Sequence, residues 1–301
     1  MGDKNGYEVY KDWKSRTELQ DILNKPEVQN VLCNVGFCVA AQTLNGVYSL
    51  RKSLFHGGFP VQLPSSDFLE VGSSFTWNEE LFKRAFRGDV NLFFHFPFWG
   101  SIFREHDDFL YLRMISYLKD FKAFCKSLRI PSRIVMHPGY PLESSNGESM
   151  FPVARTLSDI EGIGLDCFML ENMAGQKDMP KYFCGLKHIG DLIDRSGTST
   201  KICFDTEHLY AMGEDYTGQC KDKIALIHLN SIPSYVDKGR NYDRHSYSFL
   251  RDTKEPQFIQ ACIRDFYGRV PMVLERLSID IMVDDLSTIA EWKGAGLIGH
   301  G

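Results

Sequence analysis

Lys201-Ile-Cys-Phe-Asp205-Thr-Glu-His208-Leu-Tyr-Ala-Met-Gly213 is the stretch on which the fold turns. Ile202, Cys203 and Phe204 form an apolar run of the length expected for a strand buried on both faces. Asp205 stands at its end, His208 follows three residues later, and Gly213 releases the chain. At the C-terminal rim of a parallel barrel strand, such side chains leave the core and converge on one pocket. Carboxylate oxygen with imidazole nitrogen suits zinc or a similar divalent cation. Asp205 also has the chemistry to cap a following helix. Repetition elsewhere in the chain decides how much weight the metal reading carries.

The unit does recur. Asn91-Leu-Phe-Phe-His95 and Arg133-Ile-Val-Met-His137 are apolar runs ending in histidine, as is Ile224-Ala-Leu-Ile-His228. Asp166-Cys-Phe-Met-Leu-Glu171 and Val270-Pro-Met-Val-Leu-Glu275 end in glutamate. Val31 to Ala41 reads as a first strand, and Phe59-Pro-Val-Gln-Leu63 as a weaker second one. Helical periodicity lies between several of these runs: around Asn45–Leu54, near Asp284–Trp292, and most clearly through Phe109, Leu112, Ile115, Leu118, Phe121 and Cys125. Eight strands, most of them separated by helices and without a linker, predict a (β/α)₈ TIM barrel with its site at the C-terminal strand ends. Residues 31–301 form that barrel in this reading. Residues 1–30 form a helical leader packed on it, where the capping box Ser15-Arg-Thr-Glu18 opens a helix and Pro26 stops it. Residues 206–227 are too few for a full crossover helix, so cover on that side is expected to be thin.

Composition narrows the class. A chain of 301 residues with 43% hydrophobic content fills one large domain and argues against disorder. No apolar run approaches the roughly 18 residues of a membrane span. Eight cysteines without a Cys-x-x-Cys pair suit a reducing interior, and Cys33, Cys167 and Cys203 in apolar runs read as small hydrophobes. The formal charge of −5 weighs mildly against nucleic acid, although local patches matter more than the total.

Six strand ends carry His95, His137, Glu171, Asp205, His228 and Glu275. His208 lies just past one of them, and Asp243-Arg-His245 follows His228. These nine groups would serve three zinc ions if one carboxylate bridges. His95, His137-Pro-Gly, Glu171-Asn-x-Ala-Gly-Gln, Asp205-Thr-x-His208, His228-Leu-Asn230, Asp243-Arg-His245 and Leu274-Glu275 occur in the order found in the endonuclease IV family of apurinic/apyrimidinic (AP) endonucleases, which the chain resembles from about residue 31 to about residue 293. The resemblance implies a trinuclear zinc barrel that cleaves the DNA backbone 5′ to an abasic site and leaves a 3′-hydroxyl, as in base excision repair. His95 and His137 would hold the first zinc. Asp205, His228 and Glu275 would hold the second, Glu171 would bridge the two, and His208, Asp243 and His245 would hold the third. Glu171 or Glu275 would orient the attacking water catalytically, and the third ion would neutralise the leaving oxyanion.

The expected partner is double-stranded DNA with abasic sites, met by a monomer inside the cell, in cytoplasm or nucleus. Phe98 and Trp99, in the aromatic loop after His95, are expected to fill the gap left by the lesion. Asn230 and Arg244 are expected to touch DNA, and Arg51, Lys52, Arg104, Lys238 and Arg240 are candidates to track its backbone. The chain departs from the family at the Gln62-Leu-Pro-Ser-Ser66 loop, after His245, at Ser231 and at Arg276. The arginine adds a cation beside Glu275 with the potential to tune the nucleophile or contact phosphate. A sugar isomerase or epimerase of the same barrel superfamily is the alternative, and it would need no third metal.

Overall fold

Short apolar runs of four to six residues, each satisfying its backbone only against neighbours, close on themselves in this chain. The computed structural model describes residues 15–39, 58–70, 76–77, 91–139, 150–174, 185–234, 238–239, 249–276 and 278–299. The barrel strands are β1 (Val35–Cys38), β2 (Pro60–Pro64), β3 (Asn91–His95), β4 (Arg133–Met136), β5 (Cys167–Glu171), β6 (Lys201–Asp205), β7 (Ile224–Leu229) and β8 (Met272–Glu275). All pair in parallel, each with its sequence neighbours, and β1 pairs with β8 to shut the barrel. At the β1–β2 seam the backbones approach so closely that a Cβ on Gly36 would lie 1.7 Å from the Pro60 carbonyl oxygen.

Helices cover the outside: α1 (Arg16–Leu23), α2 (Pro26–Leu32), α3 (Phe109–Leu128), α4 (Met150–Ile163), α5 (Leu186–Ser196), α6 (Thr206–Ala211), α7 (Pro256–Arg264) and α8 (Ile279–Gly294). The capping box at Ser15 and Glu18 is formed at both ends. Helices α1 and α2 both pack on α8. The expected thin cover after β6 is found, since α6 has only six residues. No described helix is long and apolar enough to cross a membrane.

Several expectations need correction. Pro26 ends α1 but also starts α2 as its first residue, a position where the missing N–H costs nothing. Val31 and Leu32 consequently finish α2, and the first strand is only Val35–Cys38. Along α3, Phe109 is 74% and Leu112 56% exposed, whereas Tyr111, Met114, Tyr117, Leu118, Phe121, Phe124 and Cys125 are buried. A strict three-residue spacing drifts around a helix of about 3.6 residues per turn, so Phe109 ends up opposite Leu118. Cys33 is exposed rather than a core residue. The helix expected at Asn45–Leu54 lies outside the described residues.

Inside the barrel, Phe93, Val135, Met169, Cys203, Leu226 and Val273 form one buried layer. Strand side chains alternate with a period of two. Two residues after these six stand His95, His137, Glu171, Asp205, His228 and Glu275 in the same strand order. The plug layer and the ring of polar side chains are thus successive layers on the same six strands.

Candidate metal centre

Glu171 is the hub of the ring. Its Oε2 lies 3.2 Å from His95 Nε2, 3.4 Å from His137 Nε2 and 3.4 Å from His228 Nδ1, while Oε1 lies 3.3 Å from His208 Nδ1. Burial opposes ionisation of this carboxyl, yet the imidazoles of His228 and His137 hold it well below the usual carboxylate range. Burial likewise works against protonation of His228, but Cys203, Glu171 and Glu275 raise its pKa well above the ordinary value. For His137 burial wins and the pKa is lowered. Burial raises that of Asp205.

Neighbouring groups decide which imidazole nitrogen is presented. His95 Nδ1 bonds the Phe96 carbonyl at 2.7 Å, so Nε2 faces the hub. His228 Nε2 meets Gln62 Oε1 at 2.8 Å, which turns Nδ1 toward Glu171, Glu275 (3.3 Å) and Asp205 (3.9 Å). His208 Nδ1 bonds the Asn172 carbonyl at 2.8 Å. Metal-binding histidines are commonly oriented by such an outer bond through their other nitrogen. Gln62, inside the run read as the second strand, is a fully buried residue of β2, bonded also to Cys38 Sγ at 3.5 Å.

Asp205 satisfies both readings of its sequence. Oδ1 caps α6 by accepting the His208 backbone N–H at 2.8 Å, and Oδ2 accepts from Asn230 Nδ2 at 2.6 Å. Asn172 clamps the same residue through its backbone, accepting from the Asp205 N–H at 2.7 Å and donating to its carbonyl at 2.9 Å. Thr206 Oγ1 accepts the Asn230 N–H at 3.0 Å and so ties β6 to the end of β7.

Three overlapping groups of side chains gather close enough to share a cation: His95 with His137 and Glu171; Glu171 with Cys203 and His228; and Glu171 with Asp205, His228 and Glu275. The donor set fits a divalent cation, because His228 Nδ1 is buried without a hydrogen bond among the described residues and points at three carboxylates. Buried polar atoms normally find a partner, and a cation shared with these oxygens would supply one. Cys203, a small residue of the buried layer, lies close enough to Glu171 and His228 to share a cation with them. His208 is buried beside Glu171 and Asp205. Asp243 and His245 lie outside the described residues, as do Arg51, Lys52, Arg240 and Arg244.

Two further expectations change. Asn230 is fully buried and faces Asp205, not solvent, so it orients a carboxylate rather than meeting DNA. The Arg276 side chain is fully buried too, donating to Asn230 Oδ1 at 2.6 Å and to Asp285 Oδ2 at 3.1 Å, so it offers no contact to phosphate. In the aromatic loop, Phe98 is 81% exposed, whereas Trp99 stacks edge-on against Phe96 and Tyr117 under the Arg113 guanidinium.

A ring of imidazoles and carboxylates over a plugged parallel barrel defines a metal-binding TIM barrel. No family model matches the chain. A curated relative, the probable endonuclease 4 of Thermoplasma volcanium, is 30% identical over 146 residues, covering 42% of this chain and 49% of its own length. The chain thus spans about half the length of that relative. Endonuclease IV from Thermus thermophilus superposes with a TM-score of 0.60 at 14% identity, covering 87% of this chain and 99% of that one. A xylose isomerase domain-containing protein from Salmonella typhimurium gives 0.55 at 13% identity, over 86% and 94% of the two chains. At such identities the structural likeness is one of fold. Sequence and fold together assign the chain to the superfamily of endonuclease IV and xylose isomerase-like TIM barrels.

Proposed function

We propose that the chain is a zinc-dependent phosphodiesterase that cleaves duplex DNA 5′ to abasic sites, leaving a 3′-hydroxyl. The observation that carries this reading is the placement of His208. Buried beside Glu171 and Asp205 but outside the three groups that could share a cation, it would be left for a further ion, and this supports the three-zinc reading. The sequence relation to a probable endonuclease 4 points the same way. His95 and His137 would hold one ion, and Asp205, His228 and Glu275 a second, with Glu171 between them. His208 would join Asp243 and His245 at a third. When bound, zinc supplies Lewis acidity and lowers the pKa of an attacking water.

The chain's own residues do the rest. Glu275, 19% exposed at its side chain while the other carboxylates of the ring are buried, would orient water against phosphorus, and its greater exposure supports that role. Gln62, Phe96 and Asn172 would fix the tautomers of three imidazoles through their bonds to one nitrogen of each ring. Phe98, beside His95 and His137 at ring-centroid distances of 6.0 and 5.3 Å, projects where an unstacked lesion would leave a gap.

Incubating zinc-replete protein with a duplex carrying one abasic analogue tests the proposal. A single incision 5′ to the analogue is expected, lost on prolonged chelation and in Glu171→Gln. Intact duplex with fully metallated wild type refutes it. The second reading, a sugar isomerase or epimerase, rests on the fold likeness to a xylose isomerase domain. One or two exchangeable ions per chain, instead of three tightly held zincs, would favour it.

A further inference from the structure

Arg276 and Asp285 form a buried ion pair with no part in the ligand ring. Arg276 Nε donates to Asp285 Oδ2 at 3.1 Å, and Asp285 Oδ1 accepts the Leu250 backbone N–H at 2.7 Å. On its other side Arg276 Nη1 donates to Asn230 Oδ1 at 2.6 Å, and Asn230 Nδ2 then donates to Asp205 Oδ2 at 2.6 Å and Glu275 Oε2 at 3.5 Å. A guanidinium is donor only, so it dictates which end of the Asn230 amide faces it. The oxygen must turn to Arg276, and the NH₂ must turn to the two carboxylates. Asp205 already gives Oδ1 to the cap of α6. Its remaining oxygen is therefore set by the amide.

We infer that Arg276 is a positioning residue which, held by Asp285 and acting through Asn230, fixes the Asp205–Glu275 half of the metal centre. This rests on the metal-centre reading. It adds that helix α8, through Asp285, and the turn beginning at Leu250 are wired to two ligand carboxylates. Leu250 follows by five residues in sequence the His245 expected at the third ion. A lysine cannot replace the arginine, because one ammonium does not present the planar fork that reaches an amide oxygen and a carboxylate together.

Zinc itself is the probe, competed against a chromophoric chelator with the full-length chain, alongside melting of the metal-free protein. Arg276→Met and Asn230→Ala are each expected to weaken one zinc by about 10–100-fold, the usual effect of losing an outer-sphere partner, while the other zincs are held as in wild type. The double variant should lose no more than the worse single one, since both cut the same chain of bonds. Arg276→Lys should recover melting temperature by keeping charge opposite Asp285, yet retain the zinc defect. Asn230→Ala buries no new charge and carries the test if Arg276→Met does not fold. Unchanged zinc affinity in Asn230→Ala, additive losses in the double variant, or full recovery of affinity in Arg276→Lys would overturn the inference. These readouts are independent of DNA incision, so a wild type that binds zinc but leaves abasic duplex intact would refute the proposed activity and not this assignment.

Discussion

Replacing Gln62 with leucine removes the acceptor of a buried imidazole, together with a weak bond to Cys38 Sγ. Gln62 Oε1 takes the His228 Nε2–H at 2.8 Å, and both side chains are fully buried. Leucine preserves most of the volume, so strand β2 and its pairing with β3 should persist. A buried N–H left without a partner costs about 1–3 kcal/mol. Outer-sphere partners of metal histidines are worth about 10–100-fold in affinity. At 1.4 kcal/mol per decade that is about 1.4–2.8 kcal/mol, so the two estimates agree. If His228 relieves the strain by turning over, Nδ1 no longer faces Glu171 and Glu275, and affinity falls by the other route. Zinc competition with a chelator should therefore show a drop of about one to two decades in Gln62→Leu. Gln62→Glu restores an acceptor and should bind at least as tightly as wild type. A folded Gln62→Leu protein with zinc affinity within about twofold of wild type, far less than the 1.4 kcal/mol of a decade, would show that this bond does not set the His228 tautomer.

Other perturbations separate the parts of the molecule. Phe98→Ala should weaken binding to abasic duplex by about 1–3 kcal/mol, the usual worth of a stacking aromatic, without changing zinc content. Trp99→Ala should mainly lower stability, by less than the roughly 3–5 kcal/mol of a fully buried aromatic; gel-shift titration and melting distinguish them, and equal DNA affinity in wild type and Phe98→Ala sinks the wedge. Gly36→Ala should destabilise by at least the upper end of about 1–3 kcal/mol in denaturant titration, because its Cβ meets the Pro60 carbonyl; wild-type stability would mean the β1–β2 seam gives way freely. Asp166 accepts the Ser132 N–H and hydroxyl at 2.7 and 2.8 Å, and these bonds hold its carboxyl below the usual range. The stabilisation is therefore complete above the unfolded pKa near about 4 and is lost as pH falls through the lower folded value. Asp166→Asn should cost about 0.5–1 kcal/mol at neutral pH, with the gap to wild type closing in acid; a gap that widens in acid would reverse the sign.

Much of the centre is legible in the sequence because strand and ligand share one period. His95, Glu171 and Asp205 each end an apolar run, and a barrel leaves such residues nowhere to point but the common rim. His208 is harder, since one imidazole on a short helix carries no signal until Asp205 is known to cap that helix. Gln62, Asn230 and Arg276 escape because amides and an arginine outside the ligand set look like surface chemistry. Their burial depends on partners 166, 25 and 9 residues away in the chain. The boundary at Pro26 is hidden for a different reason, since proline both stops one helix and starts another. Phe109 and Leu112 mislead because apolar spacing alone does not say where a stripe has rotated out of contact.

The two-residue offset between the plug layer and the polar ring leaves the barrel without alignment tolerance. Sliding any one of the six strands by a single position would put a wall residue where a ligand belongs and push a carboxylate or imidazole into the helical shell. The one-residue shift in pairing between Ile202 and Cys203 against β7 is kept through the Phe204–Ile227 pair and sets the Asp205–His228 rung. The barrel works as an indexing device, with the hydrophobic layer clicking six strands into phase and the chemistry reading off the next notch.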